Sequence, residues 1–364
     1  MDPTPPRNSS VTVADVARMA GVSKATAARV LGGYGTVSDR VRDAVTLAAR
    51  NLNYRPNELA RSMTTGRSGT IGVVVGDIEN PFFSLAVRGI TDIARQAGFT
   101  VILTNSGENT ETEKAAIRTL LAKRVDGLIV SPAKESDVDH LKDAIRSGCP
   151  MVLLDRGSRA LGVDTVVADD GQAAEGITRR LIAGGHRRIA YLTACDTPDH
   201  CFRTSSDIST GSVRRRIEGF LRACREAGLA GMEAWVRLGA LAPEETQRIA
   251  TAMLTAKHAP TAIIASDSVI GLDVFKVCRT LGLDIPRDLS LVSFHDADWT
   301  AVTTPPVTVV RQPVYQLGET AARLLVERLN GDGGPASRVV LQTELVERAS
   351  VADLSTEEMP RASE

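Results

Sequence analysis

IGVVVGDIENPFFSLAVRGITDIARQAGFTVIL, residues 71–103, decides the fold class. The unbroken apolar run at 71–75 suits a strand covered on both faces, since a half-exposed strand would alternate with polar residues. Residues 85–96 then carry apolar side chains at helical spacing, and 100–103 return to a strand-like run. Strand, helix and strand in that order imply a parallel crossover unit. The alternation continues downstream, with strand-like runs at 127–130, 151–154, 188–192, 262–265 and 290–294 and a last one at 339–347. Helical stretches at 112–123 and 213–227 separate several of them. The class read from this is α/β, parallel sheets with helices on both faces. About 280 residues of such a pattern exceed one usual sheet, so two α/β lobes are expected.

Upstream of residue 70 the pattern is different. Residues 11–55 read as three short helices, with Thr12 and Asp15 spaced as a capping box and Ser23 and Ser38 placed to cap the second and third. Within VADVARMAGVSKATAARVLG (13–32), Ala17 is small enough for two helices to cross closely, and Gly21 supplies a tight turn between them. The second helix would present Lys24, Ala25 and Arg29 outward, and long cationic donors there can reach guanine N7 and O6 in a major groove. A plain three-helix bundle with solvated charges has the same spacing.

The charge distribution separates these readings better than the total does. Formal net charge is −1, yet residues 1–69 hold ten Lys/Arg against five Asp/Glu, a net of +5, while the rest hold 33 against 39, a net of −6. A basic head on an acidic body meets a polyanion through the head alone. The opening MDPTPPRNSS has no apolar stretch of a secretory signal, and no apolar run reaches the ~18 residues of a membrane span. A cytoplasmic, nucleoid-associated location without a membrane partner is expected. The five cysteines (149, 195, 201, 224, 278) form no CxxC pair and suit reduced thiols.

The run VTVADVARMAGVSKATAARVL (11–31), with NYRPNELARSM (53–63), IGVVVGDIENPFF (71–83), VDGLIVSP (125–132), PMVLLDRG (150–157), GGHRRIAYL (184–192), RIEGF (216–220), DIPRDLSLVSFHDADW (284–299) and TTPPVTVVRQP (303–313), resembles the LacI/GalR family. Nine ordered motifs spread over most of the chain are far more specific than any one of them. The resemblance implies an N-terminal three-helix helix-turn-helix head (11–56), a hinge helix and linker (57–69) and a two-lobed body like a periplasmic-binding-protein fold (70–350). Lobe one would comprise about 70–167 and 314–341, lobe two about 168–313 and 342–350, with disordered tails at 1–10 and 351–364. It implies a homodimer on a pseudopalindromic double-stranded operator, read by Thr12, Ser23, Lys24, Ala25, Thr26, Arg29, Tyr54, Asn57, Ala60 and Met63. Met63 stands where the family has a Leu lever that enters the minor groove. Ala27 and Ala28 replace a usual Val and Ser. The tail has no apolar heptads with which to build a tetramer.

For the body, the resemblance places a small-molecule effector, a sugar or sugar-derived acid, against Phe82, Phe83, Asp155, Arg156, Arg216, Ser266, Asp267 and His295. His295 replaces a usual Asp and Ser266 a frequent Asn, and His can become cationic near pH 6–7. Those two changes alone make a carboxylate or phosphate on the ligand as plausible as a neutral sugar. The segment 195–212 is longer than the family norm and reads as a flexible flap near the pocket mouth. Its Cys195, His200 and Cys201 lack a fourth ligand, so no metal is expected, and no cofactor either. No GxSxG, P-loop, HExxH or strand-linked GxGxxG is present, and an enzyme is not expected.

Overall fold

The computed structural model describes residues 11–32, 34–54, 67–195, 197 and 202–356. It divides into two compact units, residues 1–69 and 70–364. The expected tail at 1–10, and Asn57, Ala60 and Met63 of the expected hinge, lie outside the described residues.

In the first unit, α1 (Val13–Met19), α2 (Lys24–Gly32) and α3 (Asp39–Asn51) surround a small core of Val16, Ala17, Ala27, Val45 and Ala48. Thr12 caps α1 in a reciprocal box with Asp15. Ser23 Oγ accepts from the Thr26 N–H at 3.0 Å at the start of α2. Ser38 sits at the N-cap of α3 in extended backbone, but its side chain makes no cap hydrogen bond, contrary to expectation. Gly21 takes φ +65° in the turn between α1 and α2, a region costly for residues with a Cβ.

The second unit holds two six-stranded sheets. Lobe one contains β1 (Thr70–Val75), β2 (Thr100–Asn105), β3 (Gly127–Val130), β4 (Met151–Leu154), β5 (Asp164–Ala168) and β11 (Arg338–Leu341), in the order β11-β5-β4-β3-β1-β2. Lobe two contains β6 (Ile189–Leu192), β7 (Val236–Arg237), β8 (Ala262–Ala265), β9 (Ser290–Phe294), β10 (Thr308–Arg311) and β12 (Glu344–Val346), in the order β12-β10-β9-β8-β6-β7. All pairings are parallel except β10 with β12. β3, β4, β6 and β8 are buried at every residue, which is why they read as unbroken apolar runs.

In each lobe a pair of helices crosses closely on one face. In lobe one these are α4 (Pro81–Gln96) and α12 (Val314–Leu329). A Cβ at Gly318 would lie 2.0 Å from the Ala86 carbonyl oxygen. Lobe two packs α7 (Asp170–Ala183) on α8 (Gly211–Glu226), where a Cβ at Gly219 would lie 2.1 Å from the Gly171 carbonyl oxygen. The remaining helices are α5 (Thr110–Ala122), α6 (Asp139–Arg146), α9 (Pro243–Leu254), α10 (Ser268–Leu281) and the short α11 (Asp298–Val302).

Two further expectations change. The single strand-like run at 339–347 is two strands in different sheets. Residues 351–356, expected to be disordered, pack on lobe two. Ala352 N–H donates to Ser290 Oγ at 2.9 Å, and Leu354 N–H donates to the Gly184 carbonyl at 2.8 Å. Val351 joins the apolar core there, and this burial outweighs the polar composition of the residues that follow.

Candidate functional site

Every strand of an open parallel sheet directs its carboxyl end toward the same edge, and the loops there converge. In this molecule the two edges face a shared cleft of about 800 Å³. Gly107 and Glu108 follow β2, Asp155 and Arg156 follow β4, Ser266 and Asp267 follow β8, His295 follows β9 and Gln312 follows β10. Phe82 and Phe83 come from the first turn of α4, and Arg216 from α8. All eight side chains expected at an effector site line this one cavity.

Asp155 and His295 each take a left-handed backbone, φ +65° and +68°, immediately after a buried strand. Glu108 does the same at φ +58° in the loop after β2. Such conformations cost about 1 kcal/mol or more for residues with a Cβ, and here three of them face one cleft. Phe82 meets Phe83 edge to face at 5.2 Å and meets the His295 ring at 6.4 Å across the cleft.

Both cleft arginines are buried and already paired. Arg156 forks onto Glu108, Nη1 to Oε2 at 2.5 Å and Nη2 to Oε1 at 2.8 Å, and Nη1 also donates to the Pro132 carbonyl at 3.1 Å. Arg216 holds Asp170 Oδ1 through Nε at 2.8 Å and Nη2 at 2.7 Å, and donates from Nη1 to the Ser266 carbonyl at 2.7 Å. Its guanidinium also stacks over Phe294 at 4.4 Å. Burial works against both charges, and Glu108 and Asp170 more than compensate, so both arginines stay cationic. Burial pushes Asp170 upward against the pull of Arg216.

Other lining groups point the same way. Burial, with a smaller push from Arg216 and opposition from Asp296, holds His295 below its ordinary value, so the ring is neutral at pH 7. Asp267 caps α10, accepting from the Val269 and Ile270 N–H groups at 2.9 Å each, and burial raises it. Asp155 Oδ1, Arg156 Nε, His295 Nδ1 and Gln312 Nε2 are buried without a hydrogen-bond partner among the described residues. Such groups are rare in native interiors, and together they mark a polar binding surface.

Contacts near the cleft also tie the lobes together. Glu135 Oε2 accepts from Arg214 at 2.6 Å, and Ser212 Oγ donates to Asp155 Oδ2 at 3.3 Å. These lobe-two partners belong to α8, whose first turn holds Ser212, the last residue of the long segment expected as a flexible flap. The described part of that segment is anchored: Ile208 is fully buried, and Ser209, Thr210 and Ser212 line the cavity. His200 and Cys201 lie outside the described residues.

In the head, Lys24, Ala25 and Arg29 are exposed on α2 and Thr26 is half-buried. Tyr54 packs on the small core behind α3. Sequence reasoning missed Glu108, Asp170 and Gln312. The first two are 48 and 46 positions from the arginines they hold, a distance at which no local spacing signals a pair.

A helix-turn-helix unit followed by a two-lobed body with a buried polar cleft defines a DNA-binding regulator of the ligand-sensing kind. Comparison with known proteins places it more closely. Models of the bacterial regulatory proteins, lacI family, and of the periplasmic binding protein-like domain match residues 12–57 and 178–351. The HTH-type transcriptional repressor PurR of Photobacterium profundum is 31% identical over 347 residues, 94% of this chain and 99% of the relative. Catabolite control protein A of Priestia megaterium is 30% identical over 334 residues, 91% and 96% of the two chains. The lac repressor dimer bound to operator and the anti-inducer ONPF superposes with a TM-score of 0.81 at 26% identity, covering 94% of this chain and 99% of that one. The chain belongs to the lacI family of bacterial transcriptional regulators. Among the described residues, no helix is long and apolar enough to cross a membrane.

Proposed function

We propose that this protein is a transcriptional repressor that binds a pseudopalindromic operator as a homodimer and responds to a small polar effector held in the cleft. The observation that carries this reading is convergence. Eight residues scattered from position 82 to position 295 line one cavity of about 800 Å³, a size suited to a sugar-sized ligand. The head supplies one reading helix, with Lys24 and Arg29 exposed, so two copies are needed to span two half-sites. An effector that changes the angle between the lobes acts on DNA through residues 55–69, and it shifts affinity only by its differential affinity for the two arrangements. Its site of action is the cytoplasm, on the nucleoid.

The test is operator binding by the full chain to its own upstream region across a salt series. Affinity should fall steeply with salt, because phosphate contacts release counterions. The double variant Lys24→Ala/Arg29→Ala should lose more than about tenfold in affinity, since each removes a cationic contact to DNA. Neutral sugars and sugar acids are then screened for a change in that affinity of about 5- to 150-fold, the range typical of allosteric coupling. Undiminished operator affinity in the double variant would end the reading of the head.

A further inference from the structure

We propose that Glu108 sets the charge class of the ligand this cleft accepts: by neutralising Arg156 it reserves the site for uncharged, hydroxyl-bearing molecules and turns anions away. The inference rests on the cleft being the effector site, and it chooses between the two ligand classes that site could take.

The argument is a census of charge around the cavity. An anion needs an unspent cation. Arg156 is 7% exposed and gives both terminal nitrogens to Glu108 and the Pro132 carbonyl. Arg216 is 6% exposed and is spent on Asp170 and the Ser266 carbonyl. The remaining lining cation is Lys134, which is exposed and makes no ion pair among the described residues. Against it stand the lining carboxylates of Asp77, Glu79 and Asp267, with Asp155 3.4 Å from Arg156 Nε and Asp273 held by Lys276. Unspent carboxylates therefore outnumber the unspent cation, and a carboxylate or phosphate entering the cleft would meet like charge in a poorly solvated space.

The unpartnered atoms describe the ligand that does fit. Asp155 Oδ1 requires a donor, whereas Gln312 Nε2 requires an acceptor, as does Arg156 Nε, whose 3.4 Å approach to Asp155 Oδ2 makes no hydrogen bond. His295 Nδ1 takes either role. A hydroxyl group both donates and accepts, and several on one small molecule satisfy all four atoms without bringing charge. The paired phenyl rings of Phe82 and Phe83 offer an apolar face for the carbon skeleton.

Glu108 is the member of this arrangement that can be changed alone. Its side chain is 42% exposed, it lies in the loop after β2, and its seat depends on Gly76, where a Cβ would come within 2.0 Å of Glu108 Oε1. Removing its charge leaves Arg156 buried, cationic and facing the cleft.

The experiment uses the full chain and inorganic phosphate at low millimolar concentration, with chloride adjusted to constant ionic strength, read as a saturable rise in the thermal unfolding midpoint. Phosphate requires no knowledge of the natural effector. Glu108→Gln should bind phosphate at least about tenfold more tightly than the wild type, as a buried guanidinium whose two terminal nitrogens have lost their carboxylate, with only Asp155 left at 3.4 Å from Nε, gains a partner, and Glu108→Gln/Arg156→Met should fall back to the wild-type value. Gly76→Ala, which unseats the Glu108 carboxylate while keeping it in the chain, should move in the same direction as Glu108→Gln and serves if that variant folds poorly. Equal phosphate affinity in the wild type and both single variants overturns the proposal, and so does a gain that survives loss of Arg156. A parallel titration of the wild type with D-ribose, D-glucose and cellobiose tests the cleft reading separately: a midpoint shift lost in Asp155→Asn supports it, and a shift indifferent to that change counts against it.

Discussion

The two walls of the cleft solve one problem in two ways. Each lobe buries an arginine beside an aromatic ring and holds its charge with carboxylates: Arg156 with Glu108 and, at 3.4 Å, Asp155 near Phe83, and Arg216 with Asp170 over Phe294. Each arginine also holds a backbone carbonyl, but in lobe two the carboxylate is fully buried at the head of α7. In lobe one the carboxylate comes from a loop and remains 42% exposed. A pair sealed on every side holds structure, because neither partner can leave without stranding a charge. Where one partner is open to water and a second carboxylate, Asp155, lies 3.4 Å from the same arginine, the loss of that partner costs less, and it is there that ligand preference can change.

The largest effect that tests this contrast comes from Asp170→Asn. It leaves the Arg216 guanidinium buried without its counter-charge and should cost about 3–5 kcal/mol in urea unfolding. Glu108→Gln should cost no more than about 1 kcal/mol, as expected for a partly solvated pair. Equal losses would erase the distinction between the walls. For the same reason Arg216→Ala confounds ligand contact with folding and is a poor probe of binding.

An intermediate effect tests whether the lobes are built alike beneath their different walls. Gly318→Ala in lobe one and Gly219→Ala in lobe two each push a methyl group into a facing backbone carbonyl, and backbone yields less readily than a side chain. Each should lower stability by about 1–3 kcal/mol, the usual cost of overpacking. A loss confined to one variant would show that one helix pair can slide apart and the other cannot.

The smallest effect is a pH dependence. His295 in the folded chain lies below its ordinary value of 6.5 because it is buried, so the unfolded chain binds the proton more readily. Its contribution is fully present above that ordinary value and is lost as pH falls through it toward the lower folded value. His295→Gln should therefore flatten the loss of stability between about pH 7.5 and pH 5.5 by under about 1 kcal/mol. The slope should not vanish, because burial also lowers His186, in lobe two away from the cleft residues. An unchanged slope in His295→Gln would mean the ring is not held neutral by its surroundings.

Much of this architecture was legible in the sequence, and what was not has a common cause. Strands buried on both faces announce themselves as apolar runs, and β1, β3, β4, β6, β8 and β9 were read that way. β5 begins with a buried aspartate, Asp164, whose partner Arg328 is 164 positions away. β11 and β12 merge into one run because Gln342 and Thr343 between them carry no Gly or Pro to mark a break. What separates these strands is membership of different lobes, a long-range fact. The cleft follows the same rule. Its eight expected residues came from motifs, whereas Glu108, Asp170 and Gln312 act through contacts that no local spacing encodes. The neutralised state of both arginines, which turns the reading toward an uncharged ligand, is visible only when those partners are in place.

The way the chain crosses between lobes bears on how the protein is made. The chain leaves the first sheet after β5, returns through α12 to add β11, and crosses once more to add β12. Both late strands are edge strands, and α12 is the helix that closes on α4. During synthesis, therefore, neither lobe can finish when its own first segment has emerged from the ribosome. The first sheet must wait, lacking an edge strand and with the apolar face of α4 uncovered, while five of the second sheet's six strands are translated. Domains usually fold as units in the order in which they are made. Here the stretch 314–346 completes first one lobe and then the other.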